Sequence, residues 1–123
     1  MAVPSKSVID LFRHSQDTVT FADGQVIFEE NEPGKLMYVV QDGLVELRVR
    51  GHVVATLEAG DILGEMALID DKPRSATAVA KRDSRLIPID ERRFQYLVQQ
   101  TPFFALLVMR VMAERLRRMD EQL

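Results

Sequence analysis

The sequence predicts a mainly β fold, an antiparallel roll of short strands with helices at both ends. Three observations carry that expectation. Glycines recur through the first half at a nearly constant interval, and β-forming residues with a period of two lie between them. After residue 90 the apolar period becomes helical. A chain of 123 residues is sized for one domain with a single sizeable core. We divide that domain, 1–123, into an N-terminal helical segment (1–18), a β-roll (19–90) and C-terminal helices (91–123).

Ser7 is placed to cap the N-terminal helix. Asp10 follows three residues on, Val8, Ile9, Leu11 and Phe12 form its apolar side, and the helix is expected to end near 14–16. From Val19 the pattern changes. Gly24, Gly34, Gly43, Gly51 and Gly60 are separated by 10, 9, 8 and 9 residues, each closing a turn-like pair such as Asp23-Gly24 or Asp42-Gly43. Glycine accepts the positive φ of tight turns, so the spacing predicts ordinary hairpins between short antiparallel strands. The strands expected are 26–28, 37–40, 44–49 and 53–57, then 76–80 and 85–89 after an interruption. In the third, Val45, Leu47 and Val49 alternate with Glu46 and Arg48. The glycine-spaced units share no side-chain signature, which argues against a solenoid.

Past the strands, Asp90 can cap a helix over 91–99, and Thr101-Pro102 opens a last helix with proline near its first turn. Residues 103–123 would extend about 31 Å at 1.5 Å per residue. Val108, Met112, Leu116, Met119 and Leu123 recur as one apolar stripe, suited either to packing on the roll or to self-association. Arg115, Arg117 and Arg118 are read as a solvated face.

Composition narrows the function classes. With 46% hydrophobic and 28% charged residues the chain reads as soluble and globular. The longest apolar stretch, Pro102 to Met109, is about half of the roughly 20 residues a membrane span needs. The N-terminus lacks the apolar core of a secretory signal, so a cytoplasmic location is expected. Without cysteine there is no disulfide framework, thiolate nucleophile or Cys-based zinc site. The net charge of −3 disfavours general nucleic-acid affinity. It is unevenly spread, with 13 acidic and 5 basic residues through Asp71, then 6 acidic and 11 basic.

The interruption, GDILGEMALIDDKPRSATAVA from Gly60 to Ala80, is where function is expected. It places a helix-like fragment, Glu65 to Ile69, between two strands of a β domain. One reason for such an insertion is anion capture, because the first turn of a helix leaves N–H groups free to bind phosphate. Gly64 lets the backbone approach a ligand. Arg74 offers a planar cation for two-point phosphate contact. Ionised Glu65 is an acceptor suited to a ribose hydroxyl, and Ser75 can donate to a phosphate oxygen or a base edge.

The run Gly64-Glu65-Met66-Ala67-Leu68, with Pro73-Arg74-Ser75-Ala76 after it, resembles the phosphate-binding cassette of the cyclic-nucleotide-binding domain family. That family includes regulatory subunits of cyclic-AMP-dependent protein kinase, cyclic-nucleotide-gated channels and the bacterial catabolite activator protein. The resemblance covers most of the chain and puts the cassette at 63–77. It implies a jelly-roll, cupin-like β-roll with a short cassette helix. It implies a regulatory module that reversibly binds a cyclic nucleoside monophosphate and signals through movement of its helices. By the resemblance, Glu65 accepts from the ribose 2′-hydroxyl and the Gly64 backbone meets the same sugar. Arg74 pairs with the cyclic phosphate, helped by the N–H of Met66 or Ala67 and by Ser75 and Ala76. Leu47 and Val54, inward by the alternation, line sugar and base. Leu63 stands where the family often has an aromatic residue. No cofactor beyond the ligand, cyclic AMP or cyclic GMP, is implied. Ser75 serves a phosphate or a guanine amino group equally well, and its likeness to the catabolite activator type favours cyclic AMP. The partners expected are the nucleotide, an effector domain or protein, and a second copy through the last helix. The chain is then a free-standing sensor or an excerpt of a longer regulator.

Plainer readings stand beside these. Arg74 and Glu65 can form a structural ion pair, and Glu65 can be a simple N-terminal helix carboxylate. Ser75 has no triad partner nearby in sequence. His14 and His52 are too few and too far apart for a metal site, so neither metal nor enzyme chemistry is expected. The rival function is a roll of the same family that lost nucleotide binding and serves protein interaction or dimerisation.

Overall fold

A computed structural model describes residues 10–121. Among the described residues there are eight strands: β1 (Val19–Phe21), β2 (Val26–Phe28), β3 (Met37–Asp42), β4 (Leu44–Val49), β5 (His52–Glu58), β6 (Ile62–Leu63), β7 (Thr77–Ala80) and β8 (Ser84–Ile89). A 3-10 turn, Glu65–Leu68, lies between β6 and β7, and two helices follow, α1 (Glu91–Gln100) and α2 (Phe103–Glu121). Residues 10–12 are helical, and the expected cap Ser7 lies outside the described residues.

The strands form two antiparallel four-stranded sheets, in the orders β1-β8-β3-β6 and β2-β7-β4-β5. This is the jelly-roll arrangement, and it corrects the expectation of ordinary hairpins. Only β4 and β5 pair with a sequence neighbour; β1 and β3 pair with β8, and β2 and β4 with β7. Most glycine turns therefore carry the chain from one sheet to the other. Two sheets covering one core require such crossings, and turn chemistry alone does not distinguish them from hairpins.

The run Met37-Tyr38-Val39-Val40 is apolar throughout because β3 is buried on both faces. Tyr38 and Val40 face the core between the sheets, with Val45, Leu47, Leu57, Leu63, Leu86 and the alternating alanines Ala76, Ala78 and Ala80. Met37 and Val39 face a second core, where Ile62, Ile87 and Ile89 meet Phe12, Phe104, Leu107 and Val108. Phe104 anchors that layer, fully buried against the rings of Phe12 at 6.0 Å and Phe94 at 5.7 Å.

Asp90 caps α1 as expected, its side chain accepting from the Arg93 N–H. The apolar stripe of α2 is only partly a packing face. Val108 is buried and Met112 half-buried, but Leu116 is 62% exposed, and the side chains of Met119 and Leu123 lie outside the described residues. Strands β1 and β6 were not anticipated. They are three and two residues long, too short to show alternation.

Candidate functional site

The insertion begins where β6 ends. Gly64 has φ of 74°, a left-handed conformation that turns the chain out of the sheet and into the 3-10 turn. The turn is four residues long rather than a full helix, and its Ala67 N–H donates to the Gly64 carbonyl at 3.1 Å. Of the two amides put forward for phosphate, that of Ala67 is thus engaged locally. The chain then runs outward through an exposed stretch, 71–73, before Arg74 brings it back.

Arg74 is fixed by its backbone first. Its N–H donates to the Glu32 carbonyl at 2.8 Å, and its own carbonyl accepts from the Asn31 N–H at 2.9 Å. This two-bond ladder ties the cassette to the loop between β2 and β3. Asn31 holds a φ of 72° there, a strained value that asparagine tolerates better than most residues. The side chain then turns inward and is only 8% exposed. Its guanidinium carbon stands 4.1 Å from the centroid of the Phe28 ring, which is itself stacked on Tyr38 at 6.3 Å. Nη1 approaches the Gly64 carbonyl at 3.4 Å, while the buried Nε finds no acceptor among the described residues.

The electrostatics follow from that burial. Loss of hydration lowers the Arg74 pKa from its ordinary value, against the opposing influence of Tyr38, Glu32 and Glu65. Burial likewise raises the Tyr38 pKa from 10.0, and Arg74 works against the rise. An arginine does not give up its proton at ordinary pH. The site therefore holds a desolvated cation with an unpartnered donor, next to a tyrosine kept neutral. Such an environment favours an anion that brings acceptors to the guanidinium.

Glu65 is 4% exposed at the first position of the turn. Its Oε1 is ion-paired with Arg115 Nη1, and Arg115 Nη2 also donates to the Ile62 carbonyl. The last helix is thus bound by one side chain to the carboxylate proposed for a ribose hydroxyl. Arg115 corrects its own sequence reading as a solvated residue: it faces inward, while Arg117 and Arg118 are exposed. Its position, three and four residues after the half-buried Met112 and Val111, continues the packed face of α2 and was legible in principle. Glu65 and Arg74 do not form the ion pair considered from the sequence; the partner of Glu65 is Arg115.

The other anticipated residues are distributed as follows. Gly64 is half-buried between Arg74 and Phe28, and Ala76 is buried in the inter-sheet core. Met66 and Ser75 are exposed, and Ala67 is half-buried. Leu47 faces the core, and its partner on β5 is Ala55. A register shift then sets Arg48 opposite Val53, so Val54 falls in a bulge and is 37% exposed. Phe28, Gly34 and Tyr38 were not anticipated, because they come from β2, a loop and β3, far from the cassette in sequence.

Among the described residues no group of three or more His, Cys, Asp or Glu comes together, and no single helix is long and apolar enough to cross a membrane. Residues 18–101 match the family model for the cyclic nucleotide-binding domain. The chain is 33% identical over 109 residues to the Cyclic AMP receptor protein of Thermus thermophilus, covering 84% of this chain and 50% of that protein. It is 34% identical over 84 residues to a cAMP-dependent protein kinase regulatory subunit of Emericella nidulans, covering 67% of this chain and 20% of that protein. Among solved structures, the Thermus thermophilus Catabolite Activator Protein superposes with a TM-score of 0.79 at 30% identity, covering 94% of this chain and 57% of that one. A structure from work on a cyclic-GMP-dependent signalling pathway in bacterial phytopathogenesis gives 0.78 at 30% identity, covering 95% and 98%. The chain spans half or less of the length of these curated relatives. With two jelly-roll sheets and a matched stretch running from β1 to the end of α1, this chain belongs to the cyclic nucleotide-binding domain family.

Proposed function

We propose that the chain is a regulatory module that reversibly binds a cyclic nucleoside monophosphate, cyclic AMP in preference to cyclic GMP, and does no chemistry on it. The observation that carries this reading is the buried Arg74 guanidinium whose Nε meets no acceptor among the described residues. Leaving a buried cation short of partners is costly, and a singly charged cyclic phosphate would supply both charge and acceptors. Glu65 provides the complementary acceptor for a ribose hydroxyl, and Gly64 joins the two by its carbonyl contact with Arg74. The preference for cyclic AMP rests on the named relatives, a cyclic AMP receptor protein and a cAMP-dependent kinase subunit, and on Ser75 after the arginine.

Signalling, in this reading, runs through the carboxylate. A 2′-hydroxyl donating to Glu65 competes with Arg115, the side chain that fastens α2 to the cassette. Release of that ion pair shifts the position of the helix to the extent that the nucleotide prefers the released state. An effector domain or protein would receive the movement, and the exposed Phe103, Met109 and Leu116 of α2 are suited to a second copy or another partner.

Calorimetric titration of protein stripped of nucleotide, with cyclic AMP, cyclic GMP and linear AMP, tests the assignment. Micromolar or tighter binding of a cyclic nucleotide, with linear AMP much weaker, is the expected result. Absence of heat and of any thermal shift with all three would move the assignment to the rival, an interaction module built on the same roll. The observation favouring that rival is the closure of Glu65 by Arg115.

A further inference from the structure

Two residues outside the cassette shape the space that Arg74 occupies. The Phe28 ring lies against one side of the guanidinium, its centroid 4.1 Å away. Gly34 lies on another side: a Cβ there would stand 2.2 Å from Nε and 2.4 Å from the guanidinium carbon. No L side chain is compatible with that separation unless the arginine moves. Gly34 is not in the left-handed region of backbone space, so lack of a side chain, rather than backbone freedom, is what the position requires. Gly64 closes the third side, with a virtual Cβ 2.7 Å from Nη1.

Phe28 is held in turn by stacking on Tyr38 at an interplanar angle of 25°. The ring presents a negative face to a cation that has lost its water, an attraction that strengthens with desolvation. With the Arg74 backbone tied to Glu32 and Asn31, the side chain is gripped at both ends.

We propose that Phe28 and Gly34 form a slot that aims the Arg74 guanidinium at the ligand's phosphate, so that affinity depends on two positioning residues outside the cassette. This rests on the nucleotide-binding reading given above. The slot replaces an acidic partner: an aromatic face holds the cation without neutralising it, leaving its charge for the phosphate.

Gly34→Ala separates this role from a structural one. The atoms a new methyl would meet are the movable end of a side chain, not backbone, so the fold should persist and the guanidinium should be displaced. We expect Gly34→Ala to keep its denaturation midpoint close to that of the parent protein while cyclic-nucleotide affinity falls at least tenfold. Phe28→Leu should weaken binding about fivefold, and Phe28→Tyr should restore it to within about twofold. In an Arg74→Ala background neither change should weaken binding further, since no guanidinium is left to aim. Independently of any ligand, the Arg74 Nε–H proton resonance should be shifted upfield by the Phe28 ring current and lose that shift in Gly34→Ala and Phe28→Leu.

Unchanged affinity in both single variants, with the parent binding normally, overturns the slot while leaving the functional reading intact. Equal losses in the presence and absence of Arg74 overturn it as well. A parent protein that binds no cyclic nucleotide overturns the functional reading and the slot's role with it, whatever the resonance shows.

Discussion

A single guanidinium sets the chemistry of the site, and its cost is visible in its surroundings. Arg74 is desolvated, faces an aromatic ring and lacks an acceptor at Nε among the described residues. Arg74→Ala should therefore lower cyclic-nucleotide affinity by roughly 10- to 150-fold, the equivalent of about 1.5–3 kcal/mol for a hydrogen bond to a charged group. Titration calorimetry measures this directly, and near-parental affinity would remove Arg74 from the site. Tyr38 offers a second test at the same scale. Its folded pKa is raised by burial, so the folded state holds the phenol proton more tightly than the unfolded state does. Stability from this group is fully present below the ordinary value of 10.0 and is lost as pH rises past it, through the raised folded pKa. Urea midpoints at pH 9 and 11 should fall less in Tyr38→Phe than in the parent. The cassette residues were legible in the sequence because they lie within a dozen positions of each other. Phe28, Gly34 and Tyr38 were not, since nothing local marks a ring as a cation's partner, and Gly34 reads as a turn glycine when its place is set by bulk. Arg115 was hidden among exposed arginines.

At the scale of elements, α2 serves the roll in two ways. Its first turns are structural: Phe104 is completely buried between Phe12 and Phe94 and faces the outer side of β3. Phe104→Ala should cost about 3–5 kcal/mol, the usual result of emptying a buried aromatic site, and a chemical denaturation curve measures it. Further along, the helix is held by the ion pair of Arg115 with a carboxylate that is 4% exposed. Arg115→Met leaves that carboxylate unpaired. The variant should melt at a lower temperature yet bind cyclic nucleotide about three- to tenfold more tightly, because the ribose no longer competes for Glu65. Equal or weaker binding would show that Arg115 and the ribose share the carboxylate rather than compete. Helix positions were readable from period and capping signals, as the Asp90 cap illustrates. The inward face of α2 was readable only in part, because its exposed hydrophobics fall between the packed ones and blur the stripe.

For the molecule as a whole, binding and folding are linked. A ligand that binds the folded chain alone stabilises it by mass action, by about 2.7 kcal/mol at a hundred times its dissociation constant. Saturating cyclic AMP should raise the melting temperature by several degrees, and linear AMP at equal concentration should not; differential scanning fluorimetry distinguishes the two. The fold class was legible from glycine spacing and alternation, but the topology was not. Turn residues say that a chain reverses; they do not say which sheet it enters next. That choice is made by β3, whose two apolar faces require partners on both sides, and by β7 and β8, which supply the pairing.

This topology also dictates an order of events at the ribosome. β1 pairs only with β8, β2 only with β7, and β3 takes β8 as its principal neighbour. A growing chain can close the β4–β5 ribbon early, but neither sheet is complete until the final strands have emerged. Synthesis proceeds at about 5–20 residues per second, so the apolar strand β3 stays uncovered for seconds, long on the timescale of collapse. Until β8 arrives, the two apolar faces of β3 are the surface most open to wrong pairing and association.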